Sequence, residues 1–304
     1  MQTTPGTGKC GICGAGGLEP LFEARDRNFR TTEEIFVVHR CPACGVAQTL
    51  PRPPEAQLSG FYPPSYYPTG GLGPDHYRRW VRPAQREKLD LLRRFRSSGS
   101  LLDVGCGAGF FVRAAREAGF SAEGLEIGRE AVEFGRRENG VQITQGDLLD
   151  AAYSPGAFDV VTLWQVLEHL SRPVATLRRA RTLLAPGGIL VTAVPNFASL
   201  QARVFRSRWY HLEVPRHLYH FTPESLRGLL EREHFSVIGE SYASGEHNWA
   251  GILGSLVPLA APQSHIAGRL WRRAAGRPLA RAAAALESVS GRGGIVTLVS
   301  QLRG

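Results

Sequence analysis

The stretch Leu101-Leu102-Asp103-Val104-Gly105-Cys106-Gly107-Ala108-Gly109-Phe110 constrains this chain more than any other part of it. A short strand-like run passes into three glycines at alternate positions, and an apolar helical pattern follows. Glycines at such a crossing let the backbone turn tightly and let a ligand approach the main chain. The start of the helix then offers unpaired amides to a negative or electron-rich group. A unit of this kind belongs in a parallel sheet, and the flanking sequence supplies one.

Apolar runs predict strands at 101–104, 121–126, 141–145, 158–163, 188–194, 235–242 and 294–301. Helical periodicity falls between them at 109–118, 129–138, 172–184 and 223–232, punctuated by Gly119, Gly140 and Pro186-Gly187-Gly188. Alternation of this sort implies right-handed βαβ units and an α/β, doubly wound, mostly parallel seven-stranded sheet. An amphipathic helix is expected over Tyr77 to Phe95 and another over Gly268 to Leu286. The expected organisation is a cysteine-bearing unit at 1–50 and a proline-rich linker with a helix at 51–98. A catalytic domain at 99–304 follows, with a helical insertion at about 245–290 before the last strand.

The glycine turn alone would also suit a dinucleotide, but that fingerprint wants glycine at 110, where this chain has Phe110. Asp103 stands before the turn, where a carboxylate can meet an ammonium group. Glu126 ends the second strand, placed to accept from ribose hydroxyls, and Asp147 follows the third, placed to accept from an adenine amino group. With Trp164 and Gln165 after the fourth strand, all lie at the carboxyl ends where open α/β sheets bind ligands.

In order and spacing, Leu101–Phe110, Glu126, Gly146-Asp147, Phe158–Leu170 and Leu184–Gly188 resemble the class I S-adenosylmethionine-dependent methyltransferases, a Rossmann-like fold. The resemblance covers about residues 99–244. It implies Gly105 and Gly107 beside the methionine moiety, with Gly109 and Phe110 opening the helix. It also implies Glu126 and Ile127 at the ribose, Asp147 and Leu148 at the adenine, and the backbone of Trp164 and Gln165 near the amino group.

Five cysteines occur, four as Cys10-Gly11-Ile12-Cys13 and Cys41-Pro42-Ala43-Cys44. Two short-spaced thiolate pairs suit one tetrahedral zinc with no open coordination position, a structural site. Thiols used in this way favour a reducing compartment, and Met1 to Lys9 shows no apolar signal core; the expected location is cytoplasmic.

Methyl transfer to oxygen or carbon needs a proton acceptor. His217 is the first candidate, His220 the second, both in the segment Trp209–Thr222; His169, in the Glu168-His169-Leu170 turn, is expected to orient. The cysteine pairs followed by Phe61-Tyr62-Pro63-Pro64-Ser65-Tyr66-Tyr67 resemble bacterial methyltransferases of sugar and cell-surface polysaccharide pathways. Among these, deoxysugar C-methyltransferases carry a Glu-His pair where this chain has Arg216-His217. The expected acceptor is thus a small molecule, a sugar-nucleotide or lipid-linked saccharide hydroxyl or carbon.

The net charge of +9 comes almost wholly from scattered arginines, with Lys9 and Lys88 the lysines. That spread argues against a nucleic-acid face, the chief rival being an RNA methyltransferase that reads through its zinc module. A cofactor-binding scaffold without chemistry is the second rival. The arginine-spaced segment 250–286 suits a lid, a dimer contact or peripheral contact with a membrane surface.

Overall fold

The computed structural model describes residues 8–63, 66, 81–256 and 276–303. Strands β1 (Glu19–Ala24), β2 (Phe36–Arg40) and β3 (Ala47–Leu50) form an antiparallel meander, followed by the one-turn helix α1 (Glu55–Leu58). Helix α2 (Arg82–Arg93) then leads into β4 (Gly99–Val104), α3 (Phe110–Glu117), β5 (Phe120–Glu126), α4 (Arg129–Glu138), β6 (Ile143–Gln145) and β7 (Phe158–Trp164). Next come α5 (Pro173–Leu183), β8 (Leu184–Pro195), α6 (Leu200–Phe205) and the two-residue β9 (Tyr219–His220). Helix α7 (Pro223–Arg232), β10 (Phe235–Ser241), α8 (Gly245–Leu256), α9 (Gly276–Val289) and β11 (Ile295–Leu302) complete the described elements.

The large sheet has the order β10-β11-β8-β7-β4-β5-β6, with β11 alone running against the rest. The mostly parallel seven-stranded sheet is therefore as the alternation implies. Side chains alternate across it. Leu102, Val104, Val161, Leu163 and Leu190 pack on one face, and Leu101, Val160, Ile189 and Val191 on the other. Both faces are covered, which is why these strands read as nearly unbroken apolar runs.

The strand limits differ from expectation in instructive ways. β8 starts at Leu184 rather than 188, because Leu184 pairs with Phe158 and the Pro186-Gly187-Gly188 turn is absorbed as an irregularity before Ile189 pairs with Val160. β6 begins at Ile143, two residues late. α6 was not anticipated; Ser199 caps it by accepting from the Ala202 amide, a signal lost among neighbouring loop residues. The helix expected at 268–286 is described from Gly276, and much of the segment expected to touch a membrane, 257–275, lies outside the described residues. No helix among the described residues is long and apolar enough to cross a membrane.

The meander does not stand apart. Its fourth strand is β9, which pairs antiparallel with β3 through Ala47–His220 and Gln48–Tyr219. Cys10, Ile12, Leu18, Cys41 and Val46 share one apolar cluster with Leu218, Tyr219, Phe221 and the large sheet.

Arg216 fastens the same junction. It is fully buried and grips Asp26 with two nitrogens at 2.7 and 3.0 Å, while Nε donates to Glu213 at 3.1 Å and Nη1 to the Phe61 carbonyl at 3.0 Å. Its guanidinium also lies over the Phe29 ring, 4.6 Å from the centroid. Burial by itself would push the Asp26 carboxyl up, but Arg216 and Thr31 override it and hold it at about 2. Asp26→Asn should cost roughly 3–5 kcal/mol in urea unfolding, because it leaves a buried guanidinium underpaired. A loss below about 1 kcal/mol would show that the pair does not hold the junction.

Candidate active site

The residues expected to hold the cofactor meet at the carboxyl ends of β4 to β7. The turn after β4 is tied to β5 by Gly105 and Cys106, whose amides donate to the Leu125 carbonyl at 2.7 and 3.1 Å. Gly105, Gly107 and Gly109 have φ of +67°, +54° and +71°, a region that favours glycine. A Cβ at Gly105 would meet Val166 at 2.6 Å and one at Gly109 would meet Val141 at 2.6 Å, whereas one at Gly107 would project into open space. Two of the glycines are thus demanded by packing, and the third leaves a bare cradle.

Glu126 is buried and lies across this cradle. Its Oε2 accepts from the Gly107 amide at 2.8 Å and its Oε1 from the Gly128 amide at 2.7 Å. The acid therefore shapes the two loops as well as facing the opening between them. Asp147 accepts from the Leu149 amide at 2.8 Å, fixing the turn after β6, with Leu148 buried behind it and Ile127 69% exposed at the rim. Phe110 opens α3 and packs edge-on to Phe134. Gln165, at φ +58°, donates its amide to the Ala193 carbonyl at 2.9 Å, turning the chain sharply after Trp164.

Asp103 is buried at the end of β4 and accepts from Thr162 Oγ1 at 2.6 Å. Burial pushes its carboxyl up to about 6, against the pull of Thr162 and Lys88. Sequence reading missed Thr162. Its signal was the lone hydroxyl in the apolar core of β7, opposite Asp103 in the register.

Four histidines form a layer, with His211, His217 and His220 buried and His169 half-buried. The His169 ring lies 4.5 Å from that of His217, and its Nδ1 is 3.0 Å from Tyr62 Oη. His217 Nδ1 is 2.9 Å from the His211 carbonyl and its Nε2 3.4 Å from Glu213. His220 Nε2 is 2.9 Å from Thr49 Oγ1, across the β3–β9 junction. Desolvation drives His169 and His211 down to about 4 and His220 to about 3, and lowers His217 well below its ordinary value. Beside them Glu168 is buried with both carboxylate oxygens unpartnered among the described residues, and burial raises it well above the usual range.

A cleft of about 220 Å³ lies next to Trp164 and Gln165, between α2 and the start of α8. None of His169, His217 and His220 lines it. Lys88 and His247 do, and sequence reading missed both: one is a lone lysine on an amphipathic helix, the other a histidine in a segment set aside as an insertion.

The cysteines meet as expected. Cys10 and Cys44 bring their sulfurs to 3.7 Å, Cys13 and Cys41 to 3.6 Å, and all four lie within 4.8 Å of one another. A tetrahedral zinc with bonds of about 2.3 Å holds its sulfurs ~3.8 Å apart, so the set fits that ion. The two knuckles have the same build: Gly14 and Gly45, at φ +76° and +75°, donate to the Cys10 and Cys41 carbonyls at 2.9 Å. Tyr219 packs directly on the first, where a side chain at Gly11 would strike its hydroxyl.

This sheet order and glycine cradle define the class I S-adenosylmethionine-dependent methyltransferase fold. A family model described as a methyltransferase domain matches residues 75–240, more than half of the chain, and the chain belongs to that family. It is similar to a ubiquinone biosynthesis O-methyltransferase from Vibrio parahaemolyticus, 37% identical over 29% of this chain and 40% of that protein. One from Xanthomonas campestris is 32% identical over 40% of this chain and 54% of that protein. The matches thus span about half the length of these curated relatives, or less. Among solved structures, a methyltransferase from Archaeoglobus fulgidus superposes with a TM-score of 0.52 at 17% identity, covering 75% of this chain and 96% of that one. The [4+2]-cyclase SpnF gives 0.52 at 23% identity, covering 74% and 82%. These likenesses are likenesses of fold.

The histidines of this layer carry a pH dependence. Their folded values lie below the ordinary 6.5, so the unfolded chain takes up protons first as pH falls. The stability they confer is complete above about 6.5 and is lost as pH drops toward about 4. Each such histidine lowers the unfolding free energy by ~1.4 kcal/mol per pH unit across that window, and the raised carboxyls of Asp103 and Glu168 oppose the trend, since the folded chain takes up their protons first. The ring ¹⁵N signals of these histidines should stay those of neutral imidazole between pH 7 and 5; titration near 6.5 would refute the neutral layer.

Proposed function

We propose that the chain transfers the methyl group of S-adenosylmethionine to a hydroxyl oxygen of a small molecule. The observation that carries the reading is Glu126 bridging the Gly107 and Gly128 amides over an open glycine cradle at the strand ends. The cofactor supplies a methyl group on a sulfonium. In this reading Asp103 and the backbone at Trp164 and Gln165 hold its amino-acid end, and Gly105 and Gly107 flank the methionine chain. Gly109 and Phe110 close the helix start, Glu126 and Ile127 take the ribose, and Asp147 with Leu148 takes the adenine.

The name shared by the curated relatives, ubiquinone biosynthesis O-methyltransferase, supports oxygen as the accepting atom. A saccharide hydroxyl is the second reading. It draws on the aromatic segment, where Tyr62 reaches His169 and Tyr66 packs edge-on to Tyr62 with centroids 4.8 Å apart. His169, His217 and His220 serve in either case as positioning residues, since their rings are engaged by Tyr62, the His211 carbonyl and Thr49. Cys10, Cys13, Cys41 and Cys44 hold one structural zinc.

Glu126→Ala should weaken cofactor binding by about 100-fold or more in calorimetry, matching roughly 3 kcal/mol for lost charged hydrogen bonds. Affinity near the wild-type value would remove the cradle assignment. Purified chain should contain one equivalent of zinc by elemental analysis, and Cys41→Ser should lose both the metal and methyl transfer. Full transfer without metal would show that the knuckles do not support the 216–221 segment.

A further inference from the structure

The floor of the cleft beside Trp164 is apolar, built from buried Ala193 and Ile295 and from the Trp164 indole. Lys88 Nζ stands 5.0 Å from the centroid of that indole and acts electrostatically on Asp103, which links the cleft to the cofactor side. The opposite wall carries Ser244 and His247, with Ser244 Oγ 3.1 Å from His247 Nδ1. The His247 carbonyl is 2.9 Å from His211 Nε2, so the start of α8 is anchored on the histidine layer. Desolvation, then Lys88 and His211, push the His247 imidazole down to about 3, which keeps it neutral.

We propose that this cleft is the acceptor site, that it takes a hydroxyl compound with one flat apolar face, and that His247 receives the hydrogen bond of that hydroxyl. The inference rests on the O-methyltransferase reading and deepens it. The flat face packs on the Ala193 and Ile295 floor beside Trp164, and the Lys88 ammonium, which lies over the indole, faces the electron-rich oxygen. With Nδ1–H donating to Ser244, Nε2 carries the lone pair that meets the hydroxyl proton. As the new C–O bond forms, the C–S electron pair leaves with sulfur, and the hydroxyl proton passes to Nε2 and on to water. A half-formed ether oxygen is far more acidic than an imidazolium, so the neutral ring can take its proton.

The test uses the full chain loaded with S-adenosylhomocysteine and two hydroxyl probes, catechol and methyl β-D-glucopyranoside. The ring ¹⁵N signals of His247 are identified by their loss in His247→Gln. At millimolar concentration one probe should shift them: catechol alone points to an aromatic ring, the glucoside alone to a sugar. His247→Gln accepts a hydrogen bond but cannot take a proton. It should keep S-adenosylhomocysteine affinity and KM within about twofold while lowering kcat ~100-fold or more. Ser244→Ala, which releases the tautomer, should lower kcat by about 10-fold. Silence of His247 toward both probes, or a probe that moves only the His217 ring, overturns the acceptor site. A His247 response with no methyl found on a probe oxygen leaves the site standing and defeats the hydroxyl reading instead.

Discussion

Arg216 is a cation without water, and the rest of the molecule is arranged so that it can be one. Its partners come from three separate stretches: Asp26 after β1, Glu213 in its own turn, and the Phe61 carbonyl of the linker. A guanidinium can satisfy all three at once because its donors are fixed in a planar fork. Desolvating such a group is costly, and the pair is stable only while every partner stays in place. Arg216 therefore ties the N-terminal meander and the linker to the 213–217 turn, alongside the β3–β9 pairing and the apolar cluster that joins the meander to the large sheet.

That geometry separates two kinds of construction within one site. On the side expected to hold the cofactor, contacts join neighbouring strand ends and their turns, as when Glu126 at the end of β5 bridges Gly107, after β4, and Gly128, after its own strand. The other side is built from afar. Tyr62 reaches His169, Thr49 reaches His220, and α2 faces α8 across the cleft.

The same division explains what could be read in the sequence. Leu101–Phe110, Glu126 and Asp147 announce themselves because spacing within a βα unit is set by the unit itself. The cysteine pairs do so because four sulfurs that meet around one point need short, repeated spacings. By contrast, β9 is two residues long and carries no periodicity; it exists because β3 offers it an edge. Arg216 looked like a departure from a Glu-His pair, and only its contact with Asp26 shows it to be a structural group. His217 is a candidate base by its place in a histidine-rich run, and packing sets its ring against His169 and the His211 carbonyl. His247 and Lys88 lack any local pattern and are brought together only by tertiary structure.

The two-residue strand β9 also sets an order of events. The open edge of the β1 to β3 meander must wait for residues some 170 positions later in the chain. Contacts so distant in sequence form late, after the loop between them has been condensed by its own structure. The βα units of the large sheet, whose contacts are mostly nearer neighbours, can condense in that interval. The meander is then among the last parts to be finished, and until β9 arrives its strand edge is open to strangers.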